Sequence, residues 1–105
     1  MILYSVTINV DDSIHDEWVN WIQKVHIPEV METECFSSAE MFRIVSPEPE
    51  DGTTYCIHYI ASDILDYERY QIEHAAILQT KHKDKYGRNF TAVRTVMESL
   101  EDDLS

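Results

Sequence analysis

The sequence predicts an α+β sandwich with its elements in the order β-α-β-β-α-β. Three observations carry this. Residues 2–10 alternate strictly, two long runs repeat apolar residues at helical spacing, and a turn-rich stretch divides the middle of the chain into two strands.

In the first strand Ile2, Tyr4, Val6, Ile8 and Val10 point one way, and Leu3, Ser5, Thr7 and Asn9 the other. Asp11-Asp12-Ser13 offers N-caps for the first helix, and Asp16 and Glu17 suit the positive end of its dipole. Ile14, Trp18, Trp21, Ile22 and Val25 then form one apolar stripe. Pro28 cannot continue that helix without losing a hydrogen bond. The helix is therefore expected to end or kink near His26, with Pro28 opening a second short turn.

Phe36 to Ser46 reads as the second strand and Thr53 to Ala61 as the third, separated by the loop Ser46-Pro47-Glu48-Pro49-Glu50-Asp51-Gly52. Ser62 and Asp63 cap a second helix that runs to about Tyr86, where Gly87 stops it. Asn89 to Met97 supplies the last strand. One domain is expected over residues 1–98, followed by an acidic tail over residues 99–105 that frays.

The 105 residues allow one core. Twenty acidic side chains against eight basic ones give a net charge of −12, which weighs against nucleic acid and anionic membranes as partners. No apolar run approaches the roughly 20 residues that span a bilayer. No signal-peptide pattern follows Met1, so a cytoplasmic location is expected. Cys35 and Cys56 read as reduced, inert thiols without metal-ligand spacing. The basic cluster Lys81, Lys83, Lys85 and Arg88 complements the dipole at the end of the second helix. With both helices on one sheet face, the face bearing Ser5, Thr7 and Asn9 must meet water or a second copy. A homodimer is the expectation.

The candidate chemistry rests on a few side chains, each with a plainer alternative. His26, at the expected helix end, is either a proton donor or anion anchor beside Trp21, or a half-exposed cap with a raised pKa. His74 falls between Tyr70 and Leu78 on an apolar arc with Ile64, Tyr67 and Ala75, as a core or pocket group. His82 shares the Ile64 side of the same helix but lies eight residues further on, about 12 Å, too far to share one metal with His74. His58 could face the helices or the free sheet face. Trp21, Tyr59 and Tyr70, with Trp18, Tyr55 and Tyr67, either line a pocket for a planar organic ligand or are ordinary core. Arg94, between apolar Ala92 and Val96, could anchor a carboxylate, bridge a dimer or face solvent. No metal site and no organic cofactor are expected.

Several runs carry a family resemblance: Trp18-x-x-Trp21, His26-Ile27-Pro28-Glu29-Val30, Tyr55 to Tyr59, Tyr67-x-x-Tyr70, His74-Ala75, His82, Phe90 and Arg94-Thr95. In these the chain resembles a family of short bacterial proteins known as a domain of unknown function. That family sits within the dimeric, ferredoxin-like α+β-barrel superfamily of antibiotic-biosynthesis monooxygenases, EthD-like proteins and stress-responsive barrel proteins. The resemblance implies a cavity between sheet and helices or between two sheets, and assigns no catalytic residue. The leading expectation is a dimer that binds a small organic metabolite or serves a non-catalytic role. A cofactor-independent monooxygenase or isomerase-like enzyme is the alternative, with His26, His74, Trp21 and Arg94 as its working residues. A haem-binding protein is a more distant one.

Overall fold

The strict alternation of residues 2–10 becomes the strand on which the sheet is built, in a computed structural model that describes residues 1–100. The four strands are β1 (Ile2–Val10), β2 (Ser38–Arg43), β3 (Thr53–Ala61) and β4 (Phe90–Glu98), ordered β2-β3-β1-β4. Every neighbouring pair is antiparallel. This is the ferredoxin-like α+β arrangement.

Register decides which side chains share a face. Val6 stands opposite Ile57 and Arg94, and Ser5 opposite His58 and Thr95. Directly opposed residues point the same way, so Tyr4, Val6, Tyr59 and Arg94 belong to the helix-covered face. Ser5, Thr7, Cys56, His58, Phe42 and Val93 belong to the other.

Two helical rods cover the inner face. The first is α1 (His15–Trp21), a π-helical turn (Ile22–His26) and α2 (Ile27–Glu32). The second is α3 (Ile64–Tyr70), another π-helical turn (Gln71–Ala75) and α4 (Ala76–Tyr86). Trp18 packs on Tyr55 and Tyr70 on Tyr4, with ring centroids 5.5 and 5.8 Å apart. Each π turn adds a residue to its rod. The buried series Tyr70, Ala75, Leu78, His82, Tyr86 therefore steps by five at the turn and by three or four elsewhere.

Several local expectations change for physical reasons. The first helix does not end at His26: the chain stays right-handed helical, and Ile27 N–H reaches back five residues to the Ile22 carbonyl. Pro28, which has no N–H to give, sits in the first turn of α2. His26 is thus no C-cap. The same turn carries Val25 off the apolar stripe, leaving it 41% exposed. No side chain of Asp11-Asp12-Ser13 caps α1; a short 3-10 turn (Asp12–Ile14) precedes it, and Ile14 N–H bonds to the Asp11 carbonyl. By contrast, the Asp63 carboxylate accepts from Leu65 and Asp66 N–H at 2.8 and 3.3 Å. Gly87 N–H closes α4 on the Lys83 carbonyl. β2 is shorter than expected because Glu34, at φ +62°, belongs to a turn, while Pro47 and Pro49 remove donors beyond Ile44. Of the expected acidic tail, Ser99 N–H bonds to the Met1 carbonyl, and residues 101–105 lie outside the described residues.

The loop before β3 depends on Gly52. Its φ is +71°, and a Cβ there would sit 2.5 Å from the Val10 carbonyl oxygen. Gly52→Ala is expected to destabilise the fold by about 1–3 kcal/mol, measured by urea unfolding. A loss below ~0.5 kcal/mol, the range of an ordinary surface change, would show that the loop moves aside freely.

Candidate functional site between the sheet and the helices

Inner-face parity and the two rods bring polar groups together at one place. Tyr4, Val6 and Ile8 from β1, Ile57 and Tyr59 from β3 and Arg94 from β4 form its floor. His26 and Val30 from the first rod, with Tyr70, Gln79 and His82 from the second, form its roof. The enclosed volume is about 20 Å³, room for one water-sized group.

The site lies between two aromatic clusters. On one side Tyr4, Phe36, Tyr59 and Tyr70 stack or tilt against one another at 5.0–5.9 Å. On the other, His82 lies flat on Phe90, 3.7 Å between centroids and 2° between planes, with Trp21 and His26 5.5 and 5.4 Å away. Trp18 Nε1–H donates to His82 Nε2 at 2.9 Å, with both residues buried. A neutral imidazole accepting there carries its proton on Nδ1, so this bond fixes the tautomer.

Electrostatics keep the interior uncharged apart from Arg94. Burial, then the fields of His26 and Arg94, push the His82 pKa down to about 3. Burial pushes His26 down to about 4, with Glu29 opposing and Arg94 assisting. Burial also raises the Tyr4, Tyr59 and Tyr70 hydroxyls, so they stay protonated. The Tyr4 hydroxyl has Arg94 and Gln79 beside it. The Tyr59 hydroxyl is buried with no hydrogen-bond partner.

Of the residues singled out from sequence, His26, Tyr59, Tyr70 and Arg94 meet at this cavity. Trp21 supports it from behind, against His26, His82 and Tyr86. His74 lies apart, in a surface groove with Glu29, Glu32, Thr33, Ile77 and Leu78. His58 is on the opposite sheet face, beside Phe42 at 5.1 Å. Sequence reasoning missed His82 as the centre of the site, along with Tyr4 and Gln79. A uniform helical wheel grouped His82 with Ile64, which is 43% exposed. The five-residue step from Tyr70 to Ala75 was the signal that could have separated them.

This cavity fits neither a metal nor a haem. Among the described residues no three His, Cys, Asp or Glu side chains converge. The enclosed cavity, at about 20 Å³, is far smaller than a porphyrin. The arrangement can instead hydrogen-bond a small polar group, accept a proton at a neutral imidazole, and attract negative charge at Arg94.

Fold and interior site define a ferredoxin-like α+β protein with a polar pocket under its helices. The chain belongs to the family described as a domain of unknown function, DUF4286, which matches residues 1–100. No curated protein matches its sequence. Among solved structures it is similar to an EthD-family protein from Bacillus halodurans, with a TM-score of 0.70 and 13% identity over 95% of this chain and 100% of that one. A dimeric ferredoxin-like protein from an uncultured marine organism gives 0.68 and 10%, over 95% of each chain. SnoaB, a cofactor-independent oxygenase from Streptomyces nogalater, gives 0.65 and 8%, over 94% and 92%. Identities this low speak for the fold alone.

Acid should act through the two imidazoles. Their folded pKa values, about 3 and about 4, lie below the ordinary 6.5. Below pH 6.5 the unfolded chain binds protons that the folded one refuses, so this stability is complete above that pH and falls as pH drops toward 3. Comparing urea unfolding at pH 7 and pH 4, His82→Gln should lose less stability than the parent by on the order of 3 kcal/mol. Equal losses in the two proteins would mean that His82 is protonated in the folded state.

Proposed function

We propose that this protein is a homodimeric, non-catalytic binder of a small organic metabolite, one polar group of which enters the cavity under its helices. The observation that carries the reading is the Tyr59 hydroxyl. It is buried in a residue only 2% exposed, lines the cavity and lacks a partner, in an interior where every other lining polar group is neutral or cationic. Leaving such a group unmatched costs about 1–3 kcal/mol, a cost that a bound polar group would offset.

Self-association is supported by the uncovered sheet face. Phe42, Val93 and Met97 are 41%, 66% and 43% exposed there, beside the hydroxyl and thiol row of Ser5, Thr7 and Cys56. Among the described strand residues Glu40 is its one carboxylate, in a chain carrying 20 acidic residues. The similar marine protein is described as dimeric. We place the folding unit at residues 1–98, in the cytoplasm; no helix among the described residues is long and apolar enough to cross a membrane.

A cofactor-independent enzyme is the second reading, favoured by the two neutral imidazoles at the cavity. A proton taken from a bound substrate would go to His26, the more exposed of the pair. The similarity to a cofactor-independent oxygenase agrees with this.

Tyr59→Phe separates ligand binding from structural duty. Removing a buried, unmatched hydroxyl should leave stability unchanged or raise it by about 1 kcal/mol, while weakening capture of small aromatic metabolites followed by tryptophan fluorescence. A marked loss of stability with binding intact would give the hydroxyl to the fold. Light scattering should return twice the 12.3 kDa chain mass, and Phe42→Glu with Val93→Glu should return 12.3 kDa. A monomeric parent protein would remove the dimer.

A further inference from the structure

Next to the cavity, between α4 and β4, runs an open groove of about 260 Å³ lined by Gln79, Lys83, Gly87, Phe90, Ala92 and Arg94. Gln79 and Arg94 also line the interior cavity, so the two spaces meet at these side chains. We propose that the ligand is a small aromatic carboxylate, which lies in this groove with its carboxylate on Arg94 and one oxygen directed at the Tyr59 hydroxyl. The inference rests on the cavity being the ligand site and adds the ligand's charge and its way in.

Charge is the first support. The chain has 20 acidic residues and 8 basic ones, yet among the described residues no carboxylate lines the groove or the cavity. The other surface clefts described carry Glu48, or Glu29 and Glu32, or Asp12, Asp16 and Glu17. Among the described residues the ion pairs are Lys81–Glu29 and His15–Asp16. Arg94 and Lys83 therefore face the groove with no carboxylate partner of their own. In so acidic a chain, two unpaired cations beside one opening favour an anion.

Shape and hydrogen bonding are the second. The Tyr59 hydroxyl is buried and unpartnered, and it lines the same cavity as Arg94. Phe90, backed by the His82 ring at 3.7 Å, gives an apolar wall, with Ala92 beside it. Gly87 leaves open space where a side chain would stand. The groove is below the ~300–1,000 Å³ of drug-sized sites, which suits a single ring. Neutral histidines behind the anchor add no competing negative charge.

The test titrates the full-length protein with benzoate and with its neutral isostere benzamide, by calorimetry and by the imidazole resonances of His26 and His82. Benzoate should shift both resonances, and benzamide should bind at least about tenfold more weakly. Arg94→Gln should weaken benzoate roughly ten- to a hundredfold, Arg94→Lys less, and Lys81→Gln not at all. Equal binding of benzoate and benzamide would overturn the carboxylate while leaving the cavity as the ligand site. Benzoate binding unchanged in Arg94→Gln would overturn the anchor. Neither probe shifting the resonances would overturn the inference together with the cavity reading.

Discussion

The hydrogen bond from Trp18 Nε1–H to His82 Nε2 ties together parts of the chain 64 residues apart, and much else depends on it. It sets α1 against α4 across the inner face. It holds the His82 ring so that Phe90 of β4 can lie flat upon it. It also requires that ring to be neutral, because a protonated imidazole would turn a donor toward the indole N–H. One bond thus fixes helix spacing, ring orientation and charge state together. The cavity wall opposite Tyr4 and Tyr59 follows from it.

That neutrality gives meaning to the charge distribution. A surface dominated by carboxylates surrounds an interior whose lining polar groups are tyrosine hydroxyls, neutral imidazoles, one amide and one guanidinium. A hydrated cation at the edge of such a cluster still acts on groups that burial removes from solvent. Arg94 accordingly acts on several groups at once, opposing the burial that raises Tyr4 and Tyr70 and deepening the depression of His26 and His82. The edge position of β4 is what allows a cation to reach a buried cluster while its own side chain remains hydrated.

Much of this was legible in the residues. β1 and β3 match their expected limits because strict alternation and β-branched content leave little freedom of register. Asp63 and Gly87 cap as turn chemistry dictates. The helical interiors were harder. Val25 and Ile64 were assigned to buried arcs by a constant period, and the π turns broke that period. The same shift hid His82, while Pro28 made His26 look like a helix end. Pro28 suggested a break, but a wider turn absorbed the proline without one. His58 could not be assigned from parity, because β3 carries hydrogen-bonding side chains toward both faces.

The π turns also constrain how this chain can change. Each amounts to one residue inserted into an otherwise ordinary helix, an offset of about 100° in everything downstream. Deleting a residue from Gln71–Ala75 would restore a regular helix and, in doing so, rotate His82 away from Trp18 and Phe90 while Tyr70 stayed in place. The two halves of the rod are locked in phase by that single extra position. Length variation among descendants of this chain is thereby steered away from both turns and into the loop at residues 46–52. Sequence drift inside the turns stays free where side chains face outward, as Ile72 does at 84% exposure.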